Sequence, residues 1–127
     1  MEGLGIERLV LQPTGAVAPL RYALFQHGWE IEREVLTSDG GWAHIIMSAI
    51  RSNPARTASR VEEWDEDVLL GPVLKDDTSE VYSHWIRHQI RHYTARAKGC
   101  EIQGLEDDAL SAKKCLGVLA TALARIP

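Results

Sequence analysis

Ile6-Glu7-Arg8-Leu9-Val10-Leu11-Gln12-Pro13 is the stretch that decides how this chain is read. Ile6, Leu9, Val10 and Leu11 are β-branched or bulky, and Pro13, which has no N–H to give to a ladder, stops the run. An apolar run of this kind is the pattern of a strand buried on both faces of a parallel-type sheet. Such a strand has neighbours on both sides and helices above and below, yet only five residues precede Ile6. The chain therefore reads as the C-terminal portion of a larger α/β protein.

Working outward, Thr14 to His27 is expected as a helix, with Thr14 as its cap, Val17, Leu20, Leu24 and Phe25 as its stripe and Gly28 closing it. Pro19 lies inside this stretch, so the helix proper is expected to begin near Ala18 or Pro19. Trp29 to Leu36 alternates: Trp29, Ile31, Arg33 and Val35 fall on one face, Glu30, Glu32, Glu34 and Leu36 on the other. That predicts a strand with an exposed acidic side. Thr37-Ser38-Asp39-Gly40-Gly41 reads as a hairpin turn and Trp42 to Ile50 as the returning strand. The order so far is strand, helix, strand, hairpin, strand.

Residues 51–67 hold Asn53-Pro54 and then Glu62, Glu63, Asp65, Glu66 and Asp67, a loop or linker with a turn near Trp64. Leu69-Leu70-Gly71-Pro72-Val73-Leu74 follows as an apolar loop. Asp77 with Glu80 three residues on is a capping-box arrangement opening a helix faced by Tyr82, Ile86, Gln89, Ile90, Tyr93 and Ala97, which Gly99 is expected to end. A second helix runs from about Glu106 to Arg125 with Leu116, Leu119 and Leu123 as its seam. Two helices joined this closely pack antiparallel.

The 127 residues and 45% hydrophobic content suit one domain, or a small domain with an appendage. No apolar run approaches the about 18–20 residues that span a bilayer, and the N-terminus lacks a secretory pattern, so a cytoplasmic protein with no membrane partner is expected. Cys100 and Cys115 are two and widely spaced, which fits reduced thiols rather than a disulfide framework. The net charge is −4, yet residues 81–98 carry Arg87, Arg91, Arg96 and Lys98, no carboxylate, and the interleaved His84, His88 and His92. Positive charge gathered on one helix of an acidic protein points to local anion contact, with a plain solvated face as the alternative.

Three histidines four apart can share a metal ion, but the arginines around them make a poor setting for a dication, so no metal site is assigned. Gly3-Leu4-Gly5 has no strand before it and no helix after it, and fails as a cofactor loop. No Ser-His-Asp or Cys-His arrangement is present, so the catalytic residues are unknown and no reaction follows from the residues themselves.

Arg8-Leu9-Val10-Leu11-Gln12-Pro13, His27-Gly28-Trp29-Glu30-Ile31, Asp39-Gly40-Gly41-Trp42 and Leu69-Leu70-Gly71-Pro72-Val73-Leu74, with Trp85 downstream, form a series. In order and spacing it resembles the C-terminal half of the bacterial tRNA (adenine-N1)-methyltransferases, over roughly residues 6 to 90. The resemblance implies a Rossmann-like S-adenosylmethionine domain followed by a helical, coiled-coil-like extension. The chain departs from the family's pattern at Thr14 and His27, where asparagine is usual, at Gly41-Trp42, where a lysine-aromatic step is usual, and at His44, where an acidic residue is usual. After about residue 98 the helical extension becomes unlike the family.

The expected fold is thus α/β, a partial Rossmann-like sheet followed by a C-terminal antiparallel helical hairpin. Residues 1–50 would be the end of the methyltransferase domain, 51–76 a linker with the Gly-Pro loop, and 77–127 the hairpin extension. By the resemblance, Gln12, Pro13 and Thr14 border the substrate mouth, since ligands sit beyond the carboxyl ends of strands. His84, His88, Arg87, Arg91, Arg96 and Lys98 are the RNA-binding candidates. The chain alone is expected to bind no cofactor, S-adenosylmethionine being bound only if a missing half completes it, and to be inactive alone. Its partners would be tRNA and either a second copy or a complementing N-terminal chain. The alternative is a non-catalytic RNA-binding or oligomerisation module.

Overall fold

The computed structural model describes residues 7–13, 15–40, 42–51 and 61–127. Strand β1 (Arg8–Leu11) leads to helix α1 (Val17–Gln26), then strands β2 (Trp29–Asp39) and β3 (Trp42–Arg51). The short helix α2 (Glu66–Leu69) and a 3-10 turn (Leu74–Asp76) connect the sheet to the long helices α3 (Glu80–Ile102) and α4 (Glu106–Ala124). The sheet order is β1-β3-β2, and both pairings are antiparallel. Because β3 returns from the hairpin and inserts between the other two, it runs against both. The expectation of a strand buried on both faces is corrected accordingly: β1 pairs with β3 alone among the described residues, and Val10 is 71% exposed. Leu9 and Leu11 are half-buried against the core.

The alternation of β2 does not hold along its length. A β-bulge lies between Ile31 and Arg33, placing Glu32 outside the pairing register. One extra residue moves every later side chain to the opposite face. Ile31 is buried as expected, but beyond the bulge the inward positions are Glu34 and Leu36, while Val35 is exposed. The predicted acidic face is therefore broken, and one of its glutamates enters the core. On the outward face Glu32 accepts from Ser48 Oγ at 2.6 Å and pairs with Arg8 Nε at 2.8 Å, which ties the three strands together. That hydrogen bond from Ser48, with the Arg8 charge, holds the Glu32 carboxyl below its usual range. The hairpin is tighter than expected: Asp39 pairs with Trp42, so Thr37 and Ser38 belong to β2, and Gly40 turns at φ +59°.

Helix boundaries follow capping chemistry more than the sequence reading allowed. α1 begins at Val17 behind Ala16, whose φ is 50°, with no side-chain cap. Pro19 sits in the first turn, where its missing N–H has no helical partner to lose. The cap of α3 is Ser79, whose Oγ accepts from the Tyr82 N–H at 3.2 Å; Asp77 instead accepts from the Ser79 N–H at 2.7 Å. α3 runs through Gly99 and stops at Gly104, whose φ is +74°. There the Gly104 N–H donates to Glu101 O and the Leu105 N–H to Cys100 O, the paired bonds of a Schellman motif. α4 packs back along α3 through Ala109, Ala112, Cys115 and Ala122, small residues that allow close approach, and the fully buried Leu119, with Leu116 and Leu123 half-buried.

One core cluster joins α1, the inner sheet face, the 61–76 stretch and the hairpin. Val68, Leu69, Leu70 and Leu74 are all buried in it. At its centre lie Arg21 and Glu34, whose side chains are both 0% exposed. Arg21 Nε donates to Glu34 Oε2 at 2.8 Å, and Nη1 donates to the carbonyls of Val68 and Leu69 at 3.1 and 3.3 Å. Nη2 lies 2.7 Å from Glu34 Oε2, an ionic contact without hydrogen-bond alignment. The other carboxylate oxygen accepts from the N–H groups of Val73 and Leu74 at 3.1 and 3.3 Å. Tyr82 Oη donates to Leu70 O at 2.9 Å. The apolar Gly-Pro loop is thus held by a buried ion pair that uses its backbone groups.

Gly71 is required at the point of closest approach. Its φ is +93°, and a Cβ there would stand 2.3 Å from Glu34 Oε1 and 2.6 Å from Arg21 Nη2. Gly71→Ala is expected to cost about 3 kcal/mol, combining left-handed strain with displacement of the pair. A urea midpoint unchanged from the parent would contradict this packing.

Candidate functional site

The loop after β1, the start of β3 and the first turns of α3 enclose a cleft of about 760 Å³. Its walls are Pro13, Gly15, Ala16 and Val17 from the loop and α1, Ala43, His44 and Ile45 from β3, and His84, Trp85, His88, Gln89 and Arg91 from α3. The antiparallel register explains the meeting: Leu11 pairs with Met47, so the chain leaving β1 passes the beginning of β3. His84, His88 and Arg91 share a helix face because positions four and three apart are neighbours. The cleft lies at the carboxyl end of β1, where α/β sheets hold their ligands.

The wall formed by Trp85 is fixed from behind. Trp85 is buried and stacks on Tyr82, with ring centroids 5.7 Å apart and planes 14° from parallel. The Arg21 guanidinium carbon lies 5.9 Å from the centre of the Trp85 ring. The ion pair that organises the core therefore also braces one side of the cleft.

The structure brings some of the expected site residues together and separates others. Pro13, His84, His88 and Arg91 line the cleft. Gln12 is exposed and not part of the lining, and Thr14 lies outside the described residues. Arg87, Arg96 and Lys98 are exposed on α3 outside the cleft, a basic surface continuing along the helix. His44, Trp85, Gln89 and the Gly15–Val17 turn were not anticipated as site residues. His44 had one signal, its place where the family resemblance has an acidic residue; Trp85 had another, as the aromatic residue that closes the motif series.

Among the lining residues three carry imidazoles, one a guanidinium and none a carboxylate. Elsewhere, burial pushes the Tyr93 phenol up to about 12 and the Cys115 thiol up to about 11, and holds Tyr82 well above the usual phenol range. These groups stay protonated at neutral pH and none lines the cleft. Both cysteines are free thiols. Among the described residues no group of three or more His, Cys, Asp or Glu could hold a metal ion, and no helix is long and apolar enough to cross a membrane.

Comparison with curated proteins finds no match. Among solved structures, the chain superposes on the B. subtilis tRNA methyltransferase TrmK with a TM-score of 0.70 at 18% identity, covering 94% of this chain and 53% of that one. Streptococcus pneumoniae Sp1610 in complex with S-adenosyl-L-methionine matches at a TM-score of 0.59 and 25% identity, covering 89% of this chain and 49% of that one. A Streptococcus agalactiae protein of the NADB-Rossmann superfamily matches at 0.66 and 18% identity, over 93% and 48%. The chain spans about half the length of these structures. The family model for tRNA (adenine(22)-N(1))-methyltransferase matches residues 2–116, further along the helical hairpin than the sequence motifs reach. The chain belongs to the TrmK family of tRNA (adenine(22)-N(1))-methyltransferases.

Proposed function

We propose that this chain supplies the target-base mouth and a tRNA-contacting helical arm of a tRNA (adenine-N1)-methyltransferase, and that it neither binds cofactor nor transfers methyl groups alone. The observation that carries this reading is the cleft, in which the loop after β1, the start of β3 and the basic part of α3 converge. The imidazoles of His44, His84 and His88 border the space that an extruded base and its phosphate would enter, with the buried Trp85 bracing the wall behind them. Arg87, Arg96 and Lys98 continue the positive surface beyond the cleft and would meet phosphates. Such a protein would work in the cytoplasm.

The cleft lining does not by itself fit S-adenosylmethionine. A nucleotide ribose in this class of fold is held by a carboxylate, and an acidic side chain is what the cleft lining lacks. A complementing segment or chain would provide the cofactor's site, and β1, whose outer edge has no strand partner among the described residues, is where a further strand could add. The same edge supports a second reading, a non-catalytic RNA-binding or oligomerisation module, which would bind RNA and never acquire methyl transfer whatever segment is added.

Two measurements test the proposal. Arg87→Glu with Arg91→Glu is expected to weaken tRNA binding by about tenfold or more and to flatten its salt dependence, since each lost phosphate contact lowers the slope by about one. A filter assay in which the double variant binds as the parent does would reduce the basic helix to a solvated face. Calorimetric titration with S-adenosylmethionine is expected to show no saturable heat; stoichiometric micromolar binding would overturn the cofactor argument.

A further inference from the structure

The cleft has a charge character that sets it apart from the rest of this acidic protein. Of the five histidines in the chain, His44, His84 and His88 line it, beside Arg91 and with no carboxylate among the lining residues. Among the described residues Arg91 has no acidic partner, whereas Arg8, Arg21 and Arg125 are each paired with a glutamate. Helix α1 begins at the cleft wall with no side-chain cap, so its first backbone N–H groups add positive potential there. We propose that the cleft is a phosphodiester-binding site whose affinity is set by the protonation of His44, His84 and His88, with Arg91 as its permanent charge. The proposal rests on the reading of this face as the RNA-binding side and names the group it holds and what regulates the hold.

Imidazole is the side chain whose charge changes between about pH 5 and pH 8. An anion seated among three of them favours their charged forms, so binding takes up protons and tightens as pH falls. The loop and α1 bring no titratable side chain to the lining. From β3 comes His44 alone; on β2, Thr37 pairs with His44, and Asp39 stands at the strand end opposite Trp42. On α3 the neighbouring charged groups are Glu80, one turn before His84, together with Arg87 and the exposed His92. Asp39 and Glu80, which adjoin the cleft without lining it, are thus outnumbered by the cationic groups within it.

The test uses an oligouridylate of about ten nucleotides, whose phosphodiesters and bases keep their charge between about pH 5.8 and pH 7.8, the range in which imidazole titrates. Fluorescence anisotropy at constant salt is expected to show about tenfold tighter binding at the lower pH. The triple variant His44→Gln, His84→Gln, His88→Gln is expected to bind with the same affinity at both values. His27→Gln with His92→Gln, which alters the two histidines outside the cleft, is expected to keep the tenfold ratio, and Arg91→Gln to weaken binding at both pH values while keeping it. All of these side chains lie at the surface or half-buried, and equal melting temperatures would confirm intact folds. A pH-independent parent, or a triple variant that keeps the ratio, overturns the proposal while leaving the RNA-binding reading in place. Absence of binding at either pH overturns both.

Discussion

The buried pair of Arg21 and Glu34 is the constraint on which the rest of the structure depends. Two full charges removed from water are tolerated only when the geometry is good and the remaining polar atoms find partners. Here that condition recruits four separate parts of the chain: α1 for the arginine, β2 for the glutamate, and α2 and the Gly-Pro loop for the backbone carbonyls and N–H groups that complete the shell. The loop cannot slide without orphaning one of the charges. Such a pair adds little net stability over an apolar core of the same volume, but it specifies one arrangement and penalises the others.

That specification reaches the cleft. Tyr82 and Trp85 stand one behind the other against the pair, and through them the first turns of α3 are placed opposite the loop after β1. α3 therefore does two jobs on two faces. Tyr82, Ile86, Tyr93 and Ala97 bury against the core and α4, while His84, His88 and Arg91 are left to the cleft and Arg87, Arg96 and Lys98 to solvent. A 23-residue helix is long enough for its buried half to fix the position of its charged half.

Much of this was legible in the sequence, and the failures have identifiable causes. Apolar spacing gave the order of elements and the antiparallel hairpin, because the period of hydrophobic residues reports directly on which face is buried. The family resemblance pointed to Gln12, Pro13 and Thr14, and of these Pro13 lines the cleft. The bulge at Glu32 is invisible in the sequence: nothing in Trp29 to Leu36 distinguishes a regular alternation from one interrupted by an extra residue, and regular alternation puts Glu34 in solvent. Arg21 carried a readable signal, as the only charged residue of an otherwise apolar or neutral helix. The ends of α3 differ from the sequence expectation because Asp77 and Gly99 satisfy the same local rules as Ser79 and Gly104, and tertiary packing chooses between them. His44 reached the cleft through register, which pattern alone does not supply.

The central claim is that Arg21 and Glu34 act as one unit, and a double-mutant cycle measures it most directly. Urea unfolding of Arg21→Met, Glu34→Met and the double variant is expected to show each single change costing about 3–5 kcal/mol, because each leaves an uncompensated buried charge. The double variant is expected to cost at least about 2 kcal/mol less than the sum. Single costs that add within about 0.5 kcal/mol would mean that the two charges are independent, and that something else holds the loop and the cleft in place.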